Sequence, residues 1–450
     1  MGTLSPDAAA AAKVSASALC TLGEDLYWVE GRPELSGARV VVRWRARKTT
    51  AEVVSPEGLS LGSRVHEYGG GELCVTEHGG PLLLGVRSAD QAIVAFRPGD
   101  DEVRIVLEPV EGERRGALAA CGALVVFVSE RVAKSRAIHR AISAVDLEIG
   151  RQVDLVVGRD FYANPTLCAE GDEVAYLCWD HPEMPWEAAE LWLAELRGLE
   201  VVSESKVAGG LGAPVSAPAF GQNIGTLPFH AVSWLEERDG FSRPMLEKMP
   251  MGSGGLDHGG PLWGLGEHHL VAAGESFFAH GVEAGVSRLF MVTDSDEDDL
   301  SIEGTSLSSL ATCWVDGELR VAWLGATPDA LGAVGWVEPG TAKRGLLELG
   351  PPSPLASQDR SRVRAVEVEG PRGRVGVLVF EPPGATAPHP GVVLCHGGPT
   401  GMARAGYDPL VQLLTSHGIC VVAPNFAGST GYGEEVRHRL DGQWGVADVE

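Results

Sequence analysis

Residues 395–400 read CHGGPT, and residues 425–433 read NFAGSTGYG. Each motif follows a short apolar run, GVVL before the first and ICVVAP before the second. Apolar runs of this length, bounded by Gly, Pro and Asn, read as buried strands, so both motifs fall where a strand gives way to a turn. Between them, 407–417 has helix-compatible spacing, and EEVRHRL at 434–440 starts a second helical stretch. Upstream, RAVEVEG and RVGVLVFEP supply two more strands. Strands alternating with helices predict a parallel α/β sheet over 362–450.

Further upstream the pattern changes. From 21 to 350 short strand-like runs such as DLYWVEG, ALVVFVS and ELRVAWLG alternate with Gly, Pro, Asp and Asn, and sustained helical periodicity is missing. Breaks rich in turn residues divide this region into about seven units, near 20–57, 66–109, 117–158, 164–210, 217–255, 259–305 and 308–350. Units of this size match four-stranded propeller blades, and closing them radially protects the edges that so many short strands would expose. The expectation is an all-β propeller of about seven four-stranded blades followed by a partial α/β domain. Its boundaries are a tail at 1–20, the propeller at 21–350, a Pro- and Ser-rich linker at 351–361 and the α/β part at 362–450. The fifth unit carries the fewest clean strands.

At 450 residues the chain exceeds one ordinary compact domain, and 44% apolar with 22% charged residues is a globular composition. Sixty-one acidic residues against 36 Lys and Arg give a net charge of −25, which excludes nucleic acid and anionic membranes as expected partners. The eight cysteines are scattered without a CxxC pair, several inside apolar runs, as free buried thiols of a reducing compartment would be. The N-terminus lacks the charge and apolar core of a signal peptide, Pro6 stands where myristoylation wants Ser or Thr, and no run of eighteen apolar residues occurs. A cytoplasmic chain is expected, and homo-oligomerisation is left open.

Two glycines straight after a strand let backbone approach a ligand, and the N–H groups of Gly397 and Gly398 can stabilise the oxyanion of a tetrahedral intermediate. A plain glycine turn capped by Pro399 explains HGG equally well on its own. The second motif decides between them. HGGPT with STGYG some thirty residues later resembles the prolyl oligopeptidase superfamily of serine peptidases. With VRHRLDGQWGVADVE, YWVEGRPE, SRVHEYGGGE and WDHPEMPWEAAELW, the chain looks like the acylaminoacyl-peptidase and dipeptidyl-aminopeptidase branch.

The resemblance implies a propeller gating an α/β-hydrolase domain in which Ser, Asp and His, in that order, cleave short peptides without a cofactor. It assigns oxyanion-hole roles to Gly397, Gly398 and His396, the last where some relatives contribute a tyrosine hydroxyl, and a site-supporting role to the loop of Asn425, Gly428, Ser429 and Tyr432. Ala427 departs from the Arg usual in the family. The GxSxG elbow and the later Asp and His are not among these 450 residues, so the triad is expected beyond Glu450, and the 360–450 segment in isolation is expected to be poorly ordered or aggregation-prone. Ser429 in AGSTG is read as a structural turn rather than a substitute nucleophile, because a triad requires a base held by a third group and the only histidine downstream is His438, nine residues away on the following helix. The alternative function is an inactive propeller that binds peptides or a partner chain.

No metal site is expected. HEYGGG at 66–71 and WDHPEMPW at 179–186 lack ligand spacing, and DSDEDD at 294–299 lacks the Gly and Glu of a calcium loop and reads as a hairpin tip. Glu34 and Glu67 are candidate contacts for a peptide's free amine, since a carboxylate inside a propeller cavity is the simplest selector for a cation. No phosphate-binding glycine motif occurs.

Overall fold

The computed structural model describes residues 2–11, 14–221, 231–273, 276–384, 386, 388–398 and 400–450. Seven antiparallel sheets follow one another along the chain at 15–53, 73–107, 113–157, 161–209, 215–250, 257–299 and 306–349. Six have four strands and the sixth has five. The innermost strands touch in sequence, Ser15–Leu22, Leu73–Glu77, Glu113–Cys121, Phe161–Leu167, Val215–Phe220, Leu270–Ala273 and Ser306–Val315, and the last returns to the first. This closed ring has the architecture of a β-propeller, and no sheet is left with an unprotected inner edge. The sequence division holds to within a few residues. Part of the uncertain fifth unit, 222–230, lies outside the described residues.

Side-chain size explains the ring. Inner strands converge on an axis where bulky residues would collide, and they are rich in small ones, as in SASALC, ERRGALAAC and SLSSLATC. Toward the rim the sheets diverge, and large apolar side chains fill the wedges between them, Trp28, Trp234 and Trp323 among the most buried. Three strands satisfy an indole within themselves: Trp28 Nε1 donates to Glu30, Trp192 to Glu190 and Trp234 to Glu236, at 2.9 to 3.0 Å. Residues two apart share a strand face, so an alternating pattern places the acceptor without further help.

Two expected boundaries move. The first sheet starts at Ser15, not 21, because Ser15–Leu22 pairs with Asp25–Arg32, so part of the expected tail is propeller. The rest of that tail, the helix Pro6–Ala11, belongs to the other end of the chain: Leu4 and Ala9 pack on Leu355, and Leu4 N donates to Ser416 Oγ. The expected linker is likewise packed, with Ser361 exchanging hydrogen bonds with buried Gln412 and Arg360 pairing with Asp329.

The C-terminal unit is a four-stranded sheet in the order Val363–Gly370, Gly373–Phe380, Cys420–Asn425, Gly391–Val393. It is mixed rather than parallel as expected. The first two strands are joined by two residues, which only an antiparallel pair allows, and the parallel pair is Gly391–Val393 with Cys420–Asn425. The helix Pro409–Ser416 makes that crossover; Asp408 caps it by accepting from Leu410 N and Val411 N. Within the whole chain this sheet has its own core of Leu378, Phe380, Val411 and Val421, with Val286 of the ring packed against it. Its two edge strands are Val363–Gly370, mostly exposed, and the short Gly391–Val393, with Val393 exposed. No helix among the described residues is long and apolar enough to cross a membrane. All eight cysteines are free; four are buried, but Cys395 is exposed just past Gly391–Val393.

Candidate active site between the ring and the C-terminal sheet

The strand Gly391–Val393 delivers His396 against the turn that follows Cys420–Asn425. Its ring stacks on Phe426 with centroids 4.4 Å apart. Nδ1 lies 2.8 Å from the Gly397 carbonyl and Nε2 lies 2.8 Å from Ser429 Oγ. A carbonyl only accepts, so Nδ1 carries the proton, and Nε2 accepts from the Ser429 hydroxyl. Burial lowers the His396 pKa, opposed by the bond to Gly397, so the ring is neutral at pH 7. Nitrogen-15 NMR of the ring should show the Nδ1–H tautomer at neutral pH, titrating below the free imidazole value; a titration above 6.5 would contradict this arrangement.

Ser429 is fully buried, and its N–H donates to Phe426 O at 3.0 Å. A hydroxyl with no exposed surface cannot reach a substrate, so Ser429 holds His396 in place. The turn assignment therefore stands, although its imidazole partner is His396, upstream, and not His438, which pairs with Asp441. Asn425 Oδ1 accepts from Ala403 N at 2.7 Å while Asn425 Nδ2 donates to Tyr432 Oη at 2.8 Å, tying the loop to the segment after HGGPT. Gly428 takes φ +95°, which a side chain would resist. Ala427, at the position of the family's usual Arg, is buried in a small cluster with Leu440 and Ala447.

Gly397 and Gly398 are exposed, and their N–H groups have no acceptor among the described residues. Neither adopts a left-handed φ, and a Cβ at Gly397 would meet nothing within 4 Å. The space beside them is a cavity of about 390 Å³ whose propeller wall includes Tyr68, Trp263 and Glu267. Pro399 lies outside the described residues. Trp263 braces the wall by donating to Thr400 O at 2.8 Å and packing on Tyr68 and Trp186.

Behind Glu267 a polar chain runs inward. Glu267 pairs with His269 at 3.3 Å, His269 Nδ1 meets His280 Nδ1 at 3.2 Å, and His280 Nε2 meets Ser287 Oγ at 2.9 Å. Burial, reinforced by His269 and Arg404, holds His280 well below the usual histidine pKa. Neither amine candidate reaches this cavity. Glu34 lines a separate cleft at the outer side of the first and seventh sheets and pairs with Arg32, and Glu67 pairs with Arg114 with most of its side chain in solvent. Glu267 is the carboxylate that the ring presents. Its signal in the sequence was GEHHL, a charged triplet directly before an inner strand.

The other motifs are structural. His66 sits edge-on to Phe161 and Trp179, and burial, with Arg140 adding to it, pushes its pKa down to about 3. The acidic run 294–299 is not all solvated tip: Glu297 is drawn inward to His258 at 3.1 Å and Ser253 at 3.0 Å. Among the described residues Cys168, Glu170 and Asp172, and separately Glu237, Glu434 and His438, lie close enough to share an ion; Cys168 already donates to Asp172, and Glu237 pairs with Arg437.

Over its full length the chain superposes on a Mycobacterium tuberculosis puromycin-hydrolysing peptidase with a TM-score of 0.86 and 30% identity, covering 72% of that protein. The chain belongs to the prolyl oligopeptidase superfamily of serine peptidases. A second member, a puromycin hydrolase, is 26% identical with the same TM-score and coverage. An acylaminoacyl peptidase from Pyrococcus horikoshii, 12% identical with a TM-score of 0.68 over 97% of this chain and 69% of that one, shares the fold. Sequence matches to curated family members are local. The chain is 30% identical over 99 residues to dipeptidyl peptidase family member 6 of Caenorhabditis elegans, which is 22% of this chain and 12% of that protein. It is 42% identical over 60 residues to dipeptidyl aminopeptidase BIII of Pseudoxanthomonas mexicana, 13% of this chain and 9% of that protein. No protein-family model matches the sequence.

Proposed function

We propose that these 450 residues form the gating ring and the oxyanion-binding start of the α/β-hydrolase domain of a cytoplasmic serine peptidase that acts on short peptides. The observation that carries this reading is the pair of N–H groups at Gly397 and Gly398, without an acceptor among the described residues, open on the cavity and flanked by a neutral, fixed His396. Donors already oriented before charge develops on the scissile carbonyl oxygen lower the barrier most, because they need no reorganisation during attack. The cavity walls limit the substrate to a short chain. The nucleophile belongs on a strand that adds to the free edge of Gly391–Val393, after which acyl transfer to its serine and hydrolysis by water complete the reaction.

The test is to read the coding sequence past codon 450 and assay the encoded product against short peptides, aminoacyl anilides and puromycin. Hydrolysis that disappears when the serine of a GxSxG elbow becomes alanine supports the proposal. An elbow-bearing product that hydrolyses none of these substrates overturns it.

A further inference from the structure

We propose that Arg404 is the carboxylate anchor of the cavity, placed to take the free α-carboxylate at the C-terminus of a short peptide. This rests on the peptidase reading and adds a specificity residue to it.

Arg404 lines the cavity together with Gly397, Gly398 and Glu267, and no other Lys or Arg does so among the described residues. Its guanidinium makes no hydrogen bond or ion pair with any described residue, in a chain where acidic groups outnumber basic ones by 61 to 36. The neighbouring backbone, by contrast, is fastened on every side. Ala403 N donates to Asn425 Oδ1 at 2.7 Å, Ala405 O accepts from Thr305 Oγ1 at 3.1 Å, and Gly401 O accepts from Thr430 N at 2.9 Å. The backbone on both sides of Arg404 is thus held by the ring and the C-terminal loop, and the exposed Arg404 lines the cavity between them.

A planar guanidinium offers two parallel donors to a carboxylate, which suits the end of a peptide better than a neutral carbonyl. Glu267 sets the polarity of the cavity. Burial works to raise its pKa, but the bond to His269 and the charge of Arg404 outweigh it and lower the carboxyl below its ordinary value. Arg404 is the cation of this lining among the described residues, so it is the group that draws a peptide carboxylate. An anchored C-terminus lets only chains of limited length place a carbonyl at Gly397 and Gly398.

The test is calorimetric titration of the 450-residue chain with Ala-Ala-Ala, with its C-terminal amide, and with Ala-Asp-Ala amide. The free acid should bind at least about tenfold tighter than either amide, the scale of a charge-assisted bond. Arg404→Gln should abolish that preference, and Arg404→Lys should retain part of it. Equal affinity for Ala-Ala-Ala and its amide would overturn the anchor while leaving peptide binding intact. Ala-Asp-Ala amide binding as tightly as the free acid would overturn the assignment to the chain terminus. Binding of none of the three at millimolar concentration would overturn the anchor and count against the peptidase reading as well. Persistence of the preference in Arg404→Gln would assign it to another group.

Discussion

Replacing Gly70 by alanine is expected to destabilise the ring by about 4 kcal/mol, combining left-handed backbone strain with an overpacked contact that cannot relax. Gly70 has φ +109°, and a Cβ there would overlap Leu265 O and lie 2.7 Å from Leu265 N. Both are backbone atoms, so no rotamer change relieves the clash. The three glycines after Tyr68 cross the mouth of the ring. Leu265 N donates to Gly69 O at 2.9 Å, Ala117 N to Gly70 O at 3.1 Å, and Leu118 N to Gly71 O at 2.9 Å. The crossing ties the second, third and sixth sheets together and separates the axial cavity from the one containing His396. Urea denaturation should show a large fall in midpoint for Gly70→Ala. Gly99→Ala, at φ +86° with nothing within 4 Å, should lose only about 1 kcal/mol. Equal midpoints for the two variants would refute the steric argument.

Arg437→Ala should cost about 3 kcal/mol at pH 8 and less at pH 5. Arg437 pairs with Glu237, whose side chain is 6% exposed, where the ring meets the C-terminal helix Glu434–His438. Removing one partner of a buried pair leaves an uncompensated charge. Burial already raises the Glu237 pKa above its ordinary value, opposed by Arg437. Without Arg437 the carboxyl rises further. A group raised in the folded state contributes its stability below its unfolded pKa and loses it as pH climbs through the folded value. The variant should therefore regain stability on acidification from pH 8 to pH 5, relative to the parent at each pH. A deficit that is constant across that range would show that Glu237 does not stay buried. Nearby, Asp257 accepts from Ser242 N at 3.0 Å and Gly433 N at 2.7 Å, so the joint retains a second tie.

The ring was legible because its information is local. Strand alternation and turn residues are set by near neighbours, and seven similar units average out boundary errors. The sheet direction at 363–380 was harder, since periodicity says nothing about which way a strand runs; the two-residue turn at 371–372 held that signal. The N-terminal residues were misplaced for a different reason. Leu4 and Ser416 are brought together by tertiary packing that no local pattern encodes. HGG and STGYG lie on two segments that the fold brings together, through His396 and Ser429. Glu34 and Glu67 do not line the cavity beside Gly397 and Gly398, although Tyr68 next to Glu67 does, whereas Glu267 and Arg404, far apart in sequence, meet in that lining only once the ring closes. The role of Ser429 was half legible: its turn could be read, but not its bond to a histidine 33 residues upstream.

The central claim is that these residues supply the frame, the oxyanion donors and a fixed imidazole, while Ser429 is a positioning group and not a nucleophile. Treating the 450-residue chain with a fluorophosphonate and mapping adducts by mass tests it directly. The account predicts no adduct at Ser429, whose hydroxyl is buried and committed to His396. A stoichiometric adduct at Ser429, lost in His396→Ala, would contradict it and make the pair an active nucleophile and base.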